Sequence, residues 1–165
     1  MAQEFSFDVV SKVDLQGVED AVNTTNKEIS VRYDFKGSIA RVELDKKTAE
    51  LRLVAEDDGR LRALTEVLQI RLIKRGTPIK NLEFKTPEDG ESGSRKRTAA
   101  ILQGLAGEKA KNIVAAIKKG GFKSTAAIQG DQVRVSSRSK DELQAIMGLL
   151  KAADFGQDLQ FANYR

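Results

Sequence analysis

Apolar and polar residues alternate in FSFDVV, where Phe5, Phe7 and Val9 share one face. That two-residue period marks a strand buried on one side. The period then changes. Asp14 stands where an N-cap belongs, and a helix is predicted from it to about Ile29. Three alternating runs follow, VRYDF, IARVEL and AELRLVA, separated by the turn-forming Lys36-Gly37-Ser38 and Asp45-Lys46-Lys47. Leu61, Leu64, Leu68 and Leu72 recur at three- and four-residue spacing. They predict a second helix over about 57–74, stopped by Gly76 and Pro78. NLEFK closes this half as a strand.

The second half reads as strand (RTAAILQ), helix (about 108–119), strand (FKSTAAIQ), strand (QVRVS), helix (about 140–152) and strand (LQFAN). Gly130-Asp131 joins the middle strands as a two-residue turn with glycine first. The order β-α-β-β-α-β is the ferredoxin-like arrangement. The first half has the same order with one extra strand. Between the halves, TPEDGESGS over 86–94 reads as a linker. The expected fold class is therefore α+β: a tandem of two ferredoxin-like domains, residues 1–92 and 93–165, with antiparallel sheets and helices on one face.

Such sheets leave one face open for function. In the second half, Phe122, Ser124, Ala126 and Ile128 are expected to face the helices, as are Val133 and Val135. Lys123, Thr125, Gln129, Gln132 and Arg134 then share the open face. Lys118 and Lys119 end the preceding helix, where offsetting the helix dipole explains them as well as ligand binding does. In the first half, Val31, Tyr33 and Phe35 are expected inward and Arg32, Asp34 and Lys36 outward. Charges of both signs alternate across that face, which cross-strand ion pairs of about 0.2–1 kcal/mol explain without a ligand.

Charge sharpens the contrast. Residues 1–92 hold 15 Lys and Arg against 18 Asp and Glu, whereas residues 93–165 hold 13 against 6. A basic excess confined to one half points to a polyanion. Chemistry is limited by what is missing. With no His and no Cys in 165 residues, Cys/His zinc sites, histidine bases and cysteine nucleophiles are excluded. No catalytic residue, metal ligand set or cofactor motif is found, and no enzyme is expected. GLAGEKAK does not fit a phosphate-binding P-loop, and KGSIARVEL lacks the outward aromatics of a ribonucleoprotein strand. No run approaches the ~18 apolar residues of a membrane span. The start, MAQEFSFDVV, lacks the pattern of a secretory signal, and the absence of cysteine fits a reducing compartment, so a cytoplasmic location is expected.

Six segments in order, FSFDVVSKVDLQ, NKEISVRYDFKGS, LIKRG, IQGDQVRVSS, KDELQAIMGLLK and DLQFANYR, resemble the bacterial YajQ family along essentially the whole chain. The resemblance implies that the two domains exchange N-terminal strands. Strand 4–10 would complete the second sheet and strand 97–103 the first. It also implies nucleotide binding, with RNA and guanine nucleotides including cyclic di-GMP among the ligands, and no catalysis. The best-matched polar positions are Asp8, Arg32, Asp34, Lys36, Gly37, Gln129 and Arg134.

The candidate nucleotide-binding residues are Arg32, Asp34, Lys36, Lys119, Lys123, Gln129, Arg134 and Arg138. Lys123, Arg134 and Arg138 are expected on phosphates. Arg32 and Lys36 are expected to reach in from the first domain, and Asp34 and Gln129 to read a base edge. A regulatory adaptor working through protein contacts is the alternative function that the sequence leaves open.

Overall fold

The computed structural model describes residues 3–165; the first two residues of the stretch read for a signal lie outside them. The chain divides into two compact units, and each is described by itself. A continuous unit spans Val13–Leu102, and a split unit joins the segment ending at Lys12 to Gln103–Arg165. Both are mixed α/β, each an antiparallel sheet with two helices.

The continuous unit contains α1 (Leu15–Val31), β2 (Arg41–Asp45), β3 (Glu50–Ala55), α2 (Asp58–Lys74), β4 (Leu82–Phe84), β5 (Glu88–Asp89) and β6 (Arg95–Ile101). The Asp14 carboxylate accepts the Gln16 N–H at 3.0 Å and Asp57 accepts the Arg60 N–H at 2.8 Å, so each helix starts where its first orphan donors find an oxygen. Val18, Ala21, Val22, Thr25 and Ile29 bury one stripe of α1, and Leu61, Leu64, Thr65, Leu68 and Leu72 one of α2. They cover Leu51, Leu53, Ala99 and Ile101 of the sheet. Strand order is β2-β3-β6-β4, with β5 paired to β6. The stretch 86–94 thus lies within this unit and carries β5.

The split unit contains β1 (Phe5–Val10), α3 (Glu108–Lys119), β7 (Thr125–Gln129), β8 (Gln132–Ser137), α4 (Lys140–Ala152) and β9 (Gln160–Ala162). Its strand order is β7-β8-β1-β9. Phe7, Val9, Val133 and Val135 pack against Ile113, Ile117, Leu143 and Ile146 from the two helices, and the Phe7 and Phe161 rings meet edge to face at 5.4 Å. Each fully buried aliphatic or Phe side chain here stabilises the fold by about 1.5–3 kcal/mol. In each unit the strand that joins from beyond the helices takes a central place: β1 between β8 and β9, β6 between β3 and β4.

One expected element is replaced. VRYDF is not a strand. α1 continues to Val31, and Tyr33–Phe35 form a 3-10 turn. Only Phe35 is buried; Val31 and Tyr33, expected inward, are 83% and 88% exposed. The Arg32 guanidinium closes onto Asp34 two residues away through Nε–Oδ1 at 3.0 Å and Nη2–Oδ2 at 2.8 Å, and it lies over the Phe35 ring. Gly37 then turns the chain at φ +71°, a conformation costly for other residues. Local closure overrides the strand propensity of Val, Tyr and Phe. Arg32, Asp34 and Lys36 therefore sit on a turn, not on a sheet face. Ile128 shares the helix-facing side with its partner Val133 as expected, but its edge strand leaves it 47% exposed.

Candidate functional site

The register of the split unit fixes what its open face presents. Ala127 pairs with Arg134 and Arg134 with Asp8; Thr125 pairs with Ser136 and Ser136 with Ser6; Gln129 pairs with Gln132. Successive rows therefore carry amides, then a charged pair, then hydroxyls. Just past the paired residues at this end, Lys123, Arg138 and Glu4 come together around one cavity. Rows on one face are about 6.6 Å apart, twice the rise per residue.

The middle row is closed on itself. Arg134 donates from Nε to Asp8 Oδ1 at 2.9 Å and from Nη2 to Oδ2 at 3.3 Å, and the Asn163 amide donates to Oδ2 at 2.7 Å. Asp8 is buried, while the Arg134 side chain stays half exposed. The Arg134 hydrogen bonds hold the Asp8 carboxyl below its ordinary range. Burial opposes them, and Asn163 adds to them. Asn163 reaches this position because the C-terminal strand bulges. Asp8 pairs with Ala162, yet Ser6 exchanges both backbone hydrogen bonds with Arg165, so Phe7 of β1 faces two residues of the tail, Asn163 and Tyr164. Asn163 takes up the extra residue at φ +54°, a region that asparagine tolerates better than most residues.

The end row is open. Lys123, Thr125, Ser136, Arg138 and Ser139 line a shallow cavity of about 790 Å³ with Glu4 and Glu142 on its wall. Among the described residues neither Lys123 nor Arg138 forms an ion pair. Ser137 fixes the cavity's shape. Its hydroxyl donates to the Lys123 carbonyl at 3.1 Å and accepts the Ser139 N–H at 3.1 Å, tying β7, β8 and the start of α4 together. Ser139 caps α4 by accepting the Glu142 N–H at 3.2 Å. Ser124 also borders the cavity, but its hydroxyl is buried, with no partner among the described residues. Hydroxyl donors and two unpaired cations on one wall are suited to an oxyanion.

The structure thus groups Lys123 with Arg138 and engages Arg134 elsewhere. Gln129 is six residues from Lys123 along the strand direction, about 20 Å. Lys119 ends α3 beside Gly120. Arg32 and Asp34 pair with each other, and Lys36 forms no ion pair among the described residues. The open face of the continuous unit carries Arg41 with Glu43, and Arg52 with Asp45 and Glu50.

Pairing, more than charge count, separates the units. The split unit holds 11 Lys and Arg against 8 Asp and Glu, and the continuous unit 17 against 16, because Arg95, Lys96 and Arg97 belong to the continuous one. Among the described residues, Arg134 alone of the split unit's cations is in an ion pair, whereas nine cations of the continuous unit are. Among the described residues no helix is long and apolar enough to cross a membrane.

Sequence reasoning did not place Glu4, Ser124, Ser137 and Ser139 in a site. The run SSRS before the last helix is the signal that points to them: hydroxyls at a strand end and a helix cap surround one arginine.

The family model described as nucleotide-binding protein YajQ-like matches residues 5–165. A protein of Elusimicrobium minutum named nucleotide-binding protein is 47% identical, over 98% of this chain and 99% of its own length. Proteins of Carboxydothermus hydrogenoformans and Koribacter versatilis with that description are each 45% identical, covering 100% and 97% of this chain and 100% and 96% of their own lengths. A match over both units at this identity makes the chain a member of the YajQ-like family of nucleotide-binding proteins.

Proposed function

We propose that this chain binds a nucleotide at the β7–β8 end of the split unit and does so without turnover. The observation that carries this reading is the pair of unpaired cations, Lys123 and Arg138, on a wall of hydroxyls. The names of the relatives support a nucleotide as the partner. RNA and guanine nucleotides, cyclic di-GMP included, are the forms the reading covers. A binding role also fits a chain with no His and no Cys, whose buried carboxylate Asp8 is held by Arg134. The same reading takes the units as ferredoxin-like domains with exchanged first strands. The orders β7-β8-β1-β9 and β2-β3-β6-β4 support it, since each puts the first strand of such a domain between its third and fourth. The test is calorimetric titration of nucleotides and short RNAs into the wild-type chain and into Lys123→Glu/Arg138→Glu. Binding that survives the double reversal would sink the reading.

A second reading, a regulatory adaptor, draws support from the turn after α1. Val31, Tyr33 and Ile39 expose apolar side chains close together in sequence. A partner that binds through them would be lost on Tyr33→Ser and kept in the Lys123/Arg138 reversal.

A further inference from the structure

A sheet edge carries a row of unpaired backbone N–H and C=O groups, and folded chains guard such edges with charge, brevity, bulges or a covering group. The edges of the continuous unit are guarded. Asn26 of α1 reaches over β2, its amide donating to the Val42 carbonyl at 2.9 Å and its side-chain oxygen accepting the Val42 N–H at 3.0 Å. Arg41, Glu43 and Asp45 add charge to that strand. On the far side β4 and β5 have three and two residues and carry Glu83, Glu88 and Asp89. In the split unit β9 has three residues and gives way to the bulge at Asn163. β7 has none of these devices. Its five residues, TAAIQ, include no charge and no proline, and all but Ala126 are exposed. The two-residue Gly130-Asp131 turn makes Gln129 and Gln132 a hydrogen-bonded pair, so Thr125, Ala127 and Gln129 turn their backbone groups to β8. The N–H and C=O groups of Ala126 and Ile128 point outward, and no partner meets them among the described residues.

We propose that β7 pairs with β7 of a second copy of this chain, antiparallel about a two-fold axis at Ala127, joining two four-stranded sheets into one. The strand is complementary to itself in that register, which a two-fold contact requires and which favours a second copy over another protein's strand. Ala126 stands opposite Ile128 of the other copy, and these are the residues whose outward backbone groups are free. The two pairs related by the axis exchange about four hydrogen bonds. On the helix side each exposed Ile128 covers the other copy's Ala126. On the open side Ala127 meets Ala127, with Cα atoms about 4.5 Å apart in a non-hydrogen-bonded pair. There Thr125 sets its hydroxyl beside the other copy's Gln129 amide. Lys123 precedes the strand by two residues and Asp131 follows it by two, so the basic end of one copy lies beside the acidic end of the other. Within the chain neither of them forms an ion pair among the described residues.

Sedimentation velocity of the full chain over a wide concentration range tests this, with Ala127→Lys, Ala127→Glu and their equimolar mixture beside wild type. Wild type should pass from monomer to dimer as concentration rises. Position 127 is exposed and lies on the axis, so either variant alone sets like charges against each other. Each should weaken association about tenfold or more while keeping the wild-type thermal transition. The mixture sets lysine against glutamate and should recover the dimer. Hydrogen exchange gives a reading that needs no variant. The Ala126 and Ile128 amides, open in the monomer, should gain protection as the wild-type dimer forms. A wild-type chain that stays monomeric up to about millimolar concentration overturns the proposal and leaves the edge to another protein's strand. A dimer that both variants keep, or one in which the Ala126 and Ile128 amides still exchange freely, overturns it as well.

Discussion

Arg134 and Asp8 face each other across β8 and β1 and are joined by two hydrogen bonds, at 2.9 and 3.3 Å, with the carboxylate buried. The central cation of the open face is therefore a structural partner. Removing it leaves a buried carboxylate with Asn163 as its remaining side-chain donor. Arg134→Ala should destabilise the chain by about 2–3 kcal/mol, less than a fully buried pair because the guanidinium is half exposed. Urea unfolding at neutral pH measures this as a lower midpoint at unchanged slope. A change under about 0.5 kcal/mol, the range of ordinary surface substitutions, would contradict it.

Acid should narrow that gap. Arg134 lowers the Asp8 carboxyl in the folded state, burial opposing and Asn163 adding. A carboxyl so lowered contributes stability above its unfolded value, near 4, and loses it as pH falls through the lower folded value. The stability difference between wild type and Arg134→Ala should be full at pH 6 and shrink below about pH 4. A difference that stays constant down to pH 2.5 would show that the ion pair is not its source.

Adjacent aromatics of the turn after α1 should behave oppositely. Phe35 is 5% exposed and Tyr33 is 88% exposed. Phe35→Ala should cost about 3–5 kcal/mol through lost burial and a cavity. Tyr33→Ser should stay within about 0.5 kcal/mol. Equal losses in thermal or urea unfolding would restore the strand reading of this segment.

Strand placement predicts which fragments fold. β6 lies between β3 and β4, so residues 1–92 lack a central strand of their sheet, while 13–102 retain every strand of it. The 13–102 fragment should show a cooperative thermal transition and the 1–92 fragment none. A cooperative transition for 1–92 would mean its sheet can close without β6.

Much of this was legible in the sequence because it is local. The helices over 108–119 and 140–152, the Gly130-Asp131 turn, and the cap at Asp14 depend on neighbours in the chain. Side-chain alternation placed Lys123 and Arg134 on one face. It did not show that Arg134 is taken by Asp8, 126 residues away, or that a bulge at Asn163 brings a third group to them. Periodicity also misread VRYDF, where alternation coincides with a helix end and an Arg32–Asp34 closure. The charge contrast between halves was real in sequence but not in space, since Arg95–Arg97 pass into the continuous unit's sheet with β6.

The most direct test of nucleotide binding at the β7–β8 end is the salt dependence of affinity in wild type, in Lys123→Glu/Arg138→Glu, and in Arg134→Gln as a control. Two phosphate-facing cations give a slope of log affinity against log salt of about −1.4 for a single-stranded ligand. The expected result is that slope in wild type and in Arg134→Gln, with binding lost in the double reversal while its thermal transition is kept. Unchanged affinity and slope in the double reversal would place the anion site elsewhere.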